Sequence, residues 1–283
     1  MPQGQGAAAV AAQGMGRGMG RGMGERRFGR VNWLGLWTLA ARETRRFLAV
    51  WTQTVAAPLI TAGLFLTVFS LAIGAGRGPV MGVDFTLFLA PGILMMTVIQ
   101  NAFANTSSSL VISKVQGNIV DTLMPPLSPS ELVLGFLAGG AARGLVVAVV
   151  IGLGLWATLG LVPANPLWLL LICLVGASML GAIGLVAGIL CNKFDQIAAV
   201  TNFVVTPLAF LSGTFYSLQA LPGWMQTISH MNPVFYLIDG ARHGYLGVSD
   251  SDPVLGLVVS AGTTLALAGL AWWWFRSGFR LKP

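Results

Sequence analysis

Long apolar runs alternate with short polar breaks along this chain. No charge falls between Arg46 and Arg77, or between Asp84 and Lys114. Each run exceeds the roughly 20 residues a helix needs to cross a hydrocarbon layer. They predict span 1 over about 48–73 and span 2 over about 85–110. Between Glu131 and Lys193 the only charge is Arg143. That stretch is too long for one crossing, and Pro163-Ala-Asn-Pro166 breaks it, because the residue before a proline disfavours helix. Spans 3 and 4 are therefore expected over 132–161 and 167–190. Span 5 follows Asp195, over 197–215, and span 6 runs over 254–275, closed by Arg276. The pattern predicts an all-α integral membrane protein with six transmembrane helices.

Two further segments depart from the simple span pattern. Over residues 33–48, Trp33, Trp37, Ala40, Thr44, Phe47 and Leu48 share one helical face, with Arg42, Arg45 and Arg46 opposite. Asn32 is placed to cap it. This predicts an amphipathic helix at the membrane surface, just before span 1. From Gln196 to Ile238 there is no charged residue at all, more than span 5 requires. Asn232-Pro233 divides the excess into two apolar pieces, each too short to cross. Such backbone enters a membrane only when protein covers it or it lines a cavity. A re-entrant helical hairpin between spans 5 and 6 is expected.

Composition removes the soluble alternative. Charged residues make up 9% of the 283 and hydrophobic ones 55%, against roughly 25% charged in ordinary soluble domains. The balance of +7 is then read by position and does not suggest nucleic acid. Thirteen of the Lys and Arg residues flank one side of the predicted spans, and Arg77 and Arg242 alone flank the other. The positive-inside rule places both termini in the cytoplasm, in a multi-pass plasma (inner) membrane protein. Residues 1–31, rich in Gly, Met, Ala and Arg, have no continuous apolar stretch followed by a cleavage site. A flexible cytoplasmic tail is expected there, with the membrane domain over 32–283.

Several kinds of chemistry are missing. None of the three lysines follows a glycine, so the chain has no phosphate-binding P-loop. Two histidines and two cysteines form no metal-spaced cluster. No carboxylate lies within a predicted span, which speaks against a proton-driven carrier. Uphill transport by this chain would draw its energy from a partner.

Two features could carry function. In the loop between spans 2 and 3, Gly117–Met124 can form about two helical turns, ended by Pro125 and Pro126. Ile119, Leu123 and Met124 on that helix could insert into a soluble partner, or the loop could be a plain connector. Thr97, Asn101, Asn105 and Ser108 form a polar stripe on span 2. Asn202 and Thr206 lie on a similar line on span 5, with Pro207 as an expected kink. Such stripes either bond neighbouring helices or line a passage. The glycines of spans 3 and 4 read as close helix contacts.

The chain resembles the membrane subunit of ABC-2 type ABC transporters, including bacterial drug-resistance permeases. The matching stretches are Pro91-Gly-Ile-Leu-Met-Met with Asn101 to Asn105; Gly117-Asn-Ile with Leu123 and the prolines after it; Thr206-Pro-Leu with Ser212-Gly-Thr-Phe-Tyr-Ser; and His230-Met-Asn-Pro with Tyr236, Gly240, Arg242 and Gly244. The resemblance implies a homodimer of permeases bound to two ATP-binding cassette ATPases. These would hold the ATP and Mg, while this chain binds no cofactor and catalyses no covalent step. It makes 33–47 a connecting helix and 117–124 a coupling helix. Coupling would then run through Arg42, Glu43, Arg46, Gly117, Asn118, Ile119, Asp121, Leu123 and Met124. The substrate path would be lined by Asn101, Asn105, Asn202 and Thr206. Phe215, Tyr216, Leu221, Asn232, Pro233 and Tyr236 would seal the outer exit. The implied function is export of an amphiphile such as a drug, lipid or glycoconjugate. A passive channel, a secondary transporter or a membrane scaffold without transport are the other readings.

Overall fold

The computed structural model describes residues 31–76 and 78–280, about four-fifths of them helical. The expected tail, apart from Val31, lies outside the described residues. The helices are α1 (Trp33–Leu48), α2 (Thr52–Ile73), α3 (Phe85–Val115), α4 (Ile119–Leu123), α5 (Pro129–Leu159), α6 (Pro166–Leu190), α7 (Phe194–Phe210), α8 (Gly223–Met231), α9 (Pro233–Leu246) and α10 (Pro253–Ser277).

Five of these, α2, α3, α5, α6 and α10, are long and apolar enough to cross a membrane. They correspond to predicted spans 1, 2, 3, 4 and 6. The fifth predicted span is the shorter apolar helix α7, which ends at Phe210 and not at 215. Its last turn is followed by a bend at Ser212–Gly213, where Gly213 takes a φ of +80° that side chains resist. The chain beyond it therefore cannot continue the helix.

The bundle is organised on α3, which packs along α6 and α5 and is the most buried of the five helices long enough to cross a membrane. Small residues allow that approach. A Cβ added at Gly184 of α6 would lie 2.6 Å from the Phe103 carbonyl of α3. One added at Gly144 of α5 would lie 2.8 Å from Ala177 of α6. The Thr106 hydroxyl donates across to the Gly181 carbonyl at 2.8 Å. The glycines thus serve close packing. Cys173 and Cys191 are free and buried.

Helices α2 and α7 share a local device. Each has one wide π turn, Thr52–Ala56 and Thr201–Val205, ending two residues before a proline, Pro58 and Pro207. A proline ring collides with the carbonyl four residues back in a regular helix. Widening the turn there moves that carbonyl aside and lets the helix continue. Pro207 was expected to kink span 5, and this is the form the distortion takes. Both helices lie at the margin of the bundle, with much apolar surface exposed.

Candidate coupling and pathway sites

Helix α4 lies at the C-terminal end of α3. Gly117, at φ +73°, reverses the chain before it. Pro125 and Pro126 follow it, and Ser128 then caps α5 in a reciprocal capping box with Glu131, which satisfies the free amides of that helix start. The helix is shorter than expected, at five residues. It divides into two faces. Ile119 and Thr122 are buried, while Val120, Asp121 and Met124 are exposed, Met124 to 75%. Gly117 and Asn118 are exposed, and Leu123 packs partly against the lower core.

Helix α1 rests across α5 with Leu39, Glu43 and Phe47 as its buried residues. Leu39 and Glu43, one turn apart, sit over Gly135 and Gly139, also one turn apart, where a Cβ would strike each side chain. The face packed on protein is not the Trp-bearing face expected at the membrane surface. Trp33 and Trp37 are exposed, and of the predicted face Phe47 is buried. The cause is Glu43, whose carboxylate is 1% exposed. It accepts hydrogen bonds from Ser109 Oγ at 2.8 Å, Arg42 Nη2 at 3.2 Å and Arg46 Nη2 at 3.0 Å. Burying a carboxylate is costly unless cations and donors surround it. Of the three arginines on the side opposite the apolar face, Arg42 and Arg46 therefore turn their guanidinium groups onto Glu43.

These arginines extend the contact in both directions. Arg42 Nη1 donates to Thr122 Oγ1 of α4 at 3.4 Å. Arg46 donates to the Asn105 carbonyl at 2.7 Å, to Asn105 Oδ1 at 3.1 Å and to Ser108 Oγ at 3.2 Å. One turn further along α3, Asn101 Oδ1 accepts from Arg143 Nη2 at 2.8 Å and Nε at 3.2 Å. A continuous polar line thus runs from α4 through α1 to the middle of α3 and α5. The polar stripe of span 2 is its spine.

The four residues expected to line a path are not brought together. Asn105 is buried beneath Arg46. Asn101 borders a groove of about 260 Å³ between α2 and α3, with Gln53, Thr61, Thr97 and Gln100. Asn202 is exposed on α7 and Thr206 half-buried there, both outside that groove. A larger groove of about 410 Å³ between α5 and α6 is apolar and contains none of the four.

At the opposite end of the bundle, α8 and α9 are two short helices that meet at Asn232, where the sequence places the break. Asn232 caps α9 through Val234 N and donates to Ser212 Oγ at 2.8 Å. Pro233 opens α9. Leu221 and Tyr236 pack with Leu218 and Phe235. Phe215 instead stacks on Phe69 of α2, ring centres 4.4 Å apart, and on Phe210. The Tyr216 hydroxyl donates to the Leu211 carbonyl at 2.6 Å.

What the sequence reading missed is the centre of this hairpin. Arg242 is 0% exposed. Its guanidinium lies 3.9 Å from the centre of the Phe88 ring and donates to the Gly213 carbonyl at 2.8 Å. Asp239 and Asp250 each stand 3.6 Å from its Nη1. Asp250 also accepts from Ser217 Oγ and Leu218 N, and Asp239 from the amides of Asp250 and Ser251. The signal was available: Asp239 and Arg242 are one turn apart, at the end of a long uncharged stretch.

Residues 35–246 match the family described as ABC-2 type transporter, which takes in α4, the polar line and the hairpin. The chain belongs to the ABC-2 type transporter family. It is similar to the inner membrane transport permease YadH of Escherichia coli (strain K12), with 38% identity over 221 residues, 77% of this chain and 85% of that relative. It is also similar to nodulation protein J of Neorhizobium galegae, 27% identical over 236 residues, covering 81% of this chain and 87% of the relative. Nodulation protein J of Rhizobium leguminosarum bv. viciae shows 26% identity over 232 residues. As an ABC-2 family member, the chain presents α4 and its link to α1 within the matched region, while all of α10 lies beyond it.

Proposed function

We propose that this chain is the permease subunit of an ATP-driven exporter in the inner membrane. Two copies would assemble with two ATP-binding cassette ATPases and carry an amphiphile such as a drug, lipid or glycoconjugate. Family membership and the name of the Escherichia coli relative support the transport role. The observation that carries the coupling is the polar line itself. Exposed Val120, Asp121 and Met124 offer the partner a short apolar and acidic knob, and Thr122 on the same helix holds Arg42. A push on α4 then moves Arg42, Glu43 and Arg46, which grip α3 through Asn105 and Ser109.

In this reading α7 also crosses, as the fifth of six crossings in chain order, its 17-residue length extended toward 215 by the bend after it, and the hairpin α8–α9 is re-entrant. Both termini lie in the cytoplasm, as the basic residues require. The exposed sides of α2 and α7 face the second copy, with Asn202 and Thr206 lining the shared path. Closing the ATPases rocks the two copies between inward-open and outward-open arrangements. Leu221, Tyr236 and Phe215 seal the outer end.

Replacing Met124 with Glu changes a side chain already exposed, so folding should be unaffected. It should cut substrate-stimulated ATP hydrolysis of the assembled complex about tenfold, the effect of losing one well-seated contact worth about 1.4 kcal/mol. Unchanged stimulation with normal assembly would remove α4 from the coupling interface. Flux through the purified chain without any ATPase would favour a channel.

A further inference from the structure

Arg143 stands near the middle of α5, opposite the middle of α3. An ionised group at that depth is expensive and is normally paired. Its hydrogen-bond partner is a neutral amide, Asn101 Oδ1, reached by Nη2 and Nε. Among the described residues no carboxylate lies within ion-pair distance of it. Glu43, the acidic group of this region, is already taken by Arg42, Arg46 and Ser109. Arg46, held by Asn105 one turn along α3, is a further positive charge and not a counter-ion. Two guanidinium groups thus share the one carboxylate of this region, and Arg143 is left without one.

Asn101 also borders the groove between α2 and α3, whereas Arg143 stands behind it and does not itself line the groove, so Asn101 is the link between this positive charge and the open space. The groove is itself amphipathic. Gln53, Thr61, Thr97 and Gln100 supply a polar wall, and Pro58 and Met96 contribute to an apolar one. Hydrocarbon tails cannot offset the charge, whereas an anionic headgroup would. The flat guanidinium fork suits oxyanions, and its Nη1 has no hydrogen-bond partner among the described residues.

We infer that the groove between α2 and α3 takes an amphiphile whose headgroup is a phosphate-like oxyanion, neutralised by Arg143 with Asn101 as the hinge between cation and groove. This rests on the transport reading and narrows its substrate class. The same chemistry is offered by a transported anionic amphiphile and by a resident anionic phospholipid.

The test uses the purified full chain in dodecyl maltoside. Its thermal unfolding is followed as dodecyl phosphate or dodecyltrimethylammonium is added at matched micelle fractions. Dodecyl phosphate should raise the midpoint and the ammonium should not. Arg143→Gln should weaken the apparent affinity about tenfold, as expected for one charge-assisted contact, and Arg143→Lys should retain part of it. Asn101→Asp places a carboxylate on the guanidinium, so it should abolish the response while the arginine stays. That variant decides the matter if Arg143→Gln does not fold. Equal responses to both amphiphiles, or a full response in Asn101→Asp, would overturn the proposal. Phosphatidylglycerol preloaded into the micelles separates the two sources. If it suppresses the dodecyl phosphate response, a resident lipid fills the site; if the response persists, a single-chain anion is preferred. No ATPase is present in these measurements, so a failure here leaves the test at Met124 untouched.

Discussion

Arg242→Ala should lower the stability of the folded chain by about 3–5 kcal/mol, the cost of breaking a buried ion pair from one side. Arg242 has no exposed surface and stands against two carboxylates. Removing it leaves Asp239 and Asp250 facing one another across the space it filled, with Phe88 and the Gly213 carbonyl without their partner. The cluster joins the bend after α7, α9 and the loop before α10, so the loss should loosen the hairpin before the bundle. A single cysteine at Tyr236, buried in the parent, should become reactive to a water-soluble maleimide in the Arg242→Ala background. Combining Arg242→Met with Asp239→Asn and Asp250→Asn should recover much of the stability, because no unpaired charge is then buried. An unchanged unfolding midpoint in Arg242→Ala would show that the cluster is not what holds the hairpin.

The second large effect is expected at Glu43. Its side chain is 1% exposed, but Arg42 and Arg46 keep 46% and 29% of theirs in contact with the surroundings. Glu43→Ala should therefore cost less than a fully buried pair, about 2 kcal/mol, and most of that comes from Ser109 and Arg46 losing their acceptor. The functional loss should be greater than the loss of stability. Without the carboxylate, Arg42 is free to leave Thr122, and a movement of α4 no longer reaches the middle of α3 through α1. The assembled complex should then hydrolyse ATP at its basal rate with or without substrate. Glu43→Gln keeps an acceptor for Ser109 and should recover stability more fully than stimulation. Substrate stimulation that persists in Glu43→Ala, with the complex intact, would show that α1 does not transmit the motion.

The crossings were legible because a membrane imposes one strong rule: a helix without charges, of a definite length. That rule found α2, α3, α5, α6 and α10 to within a few residues at most ends. It misplaced the end of α7, since the bend at Gly213 depends on a left-handed backbone that apolar composition does not reveal. The short α4 and the break at Asn232 were legible from Gly117, Pro125 and Asn232-Pro233, because proline and glycine act locally. The packed face of α1 was not. Trp33 and Trp37 drew the apolar moment to one side, while the contact is decided by Gly135 and Gly139 on another helix and by the carboxylate that fits between them. The polar stripe of span 2 was visible as spacing, but its choice between bonding and lining rested on Arg46 and Arg143. Those residues are distant in sequence, and no periodicity announces them. The Asp239–Arg242–Asp250 cluster was missed for the same reason: its third member lies on a loop.

The central claim is that this chain is driven by a separate ATPase seated on α4. Extraction from native membranes in a mild detergent, with the mass of the intact complex measured, tests it most directly. The account predicts two copies of this chain with two copies of a P-loop ATPase, and loss of the ATPase when the exposed face of α4 is altered at Val120, Asp121 and Met124 together. A complex that retains the ATPase after that change would move the contact elsewhere. A stable assembly that never contains an ATPase, even after cross-linking in the membrane before extraction, would contradict the account.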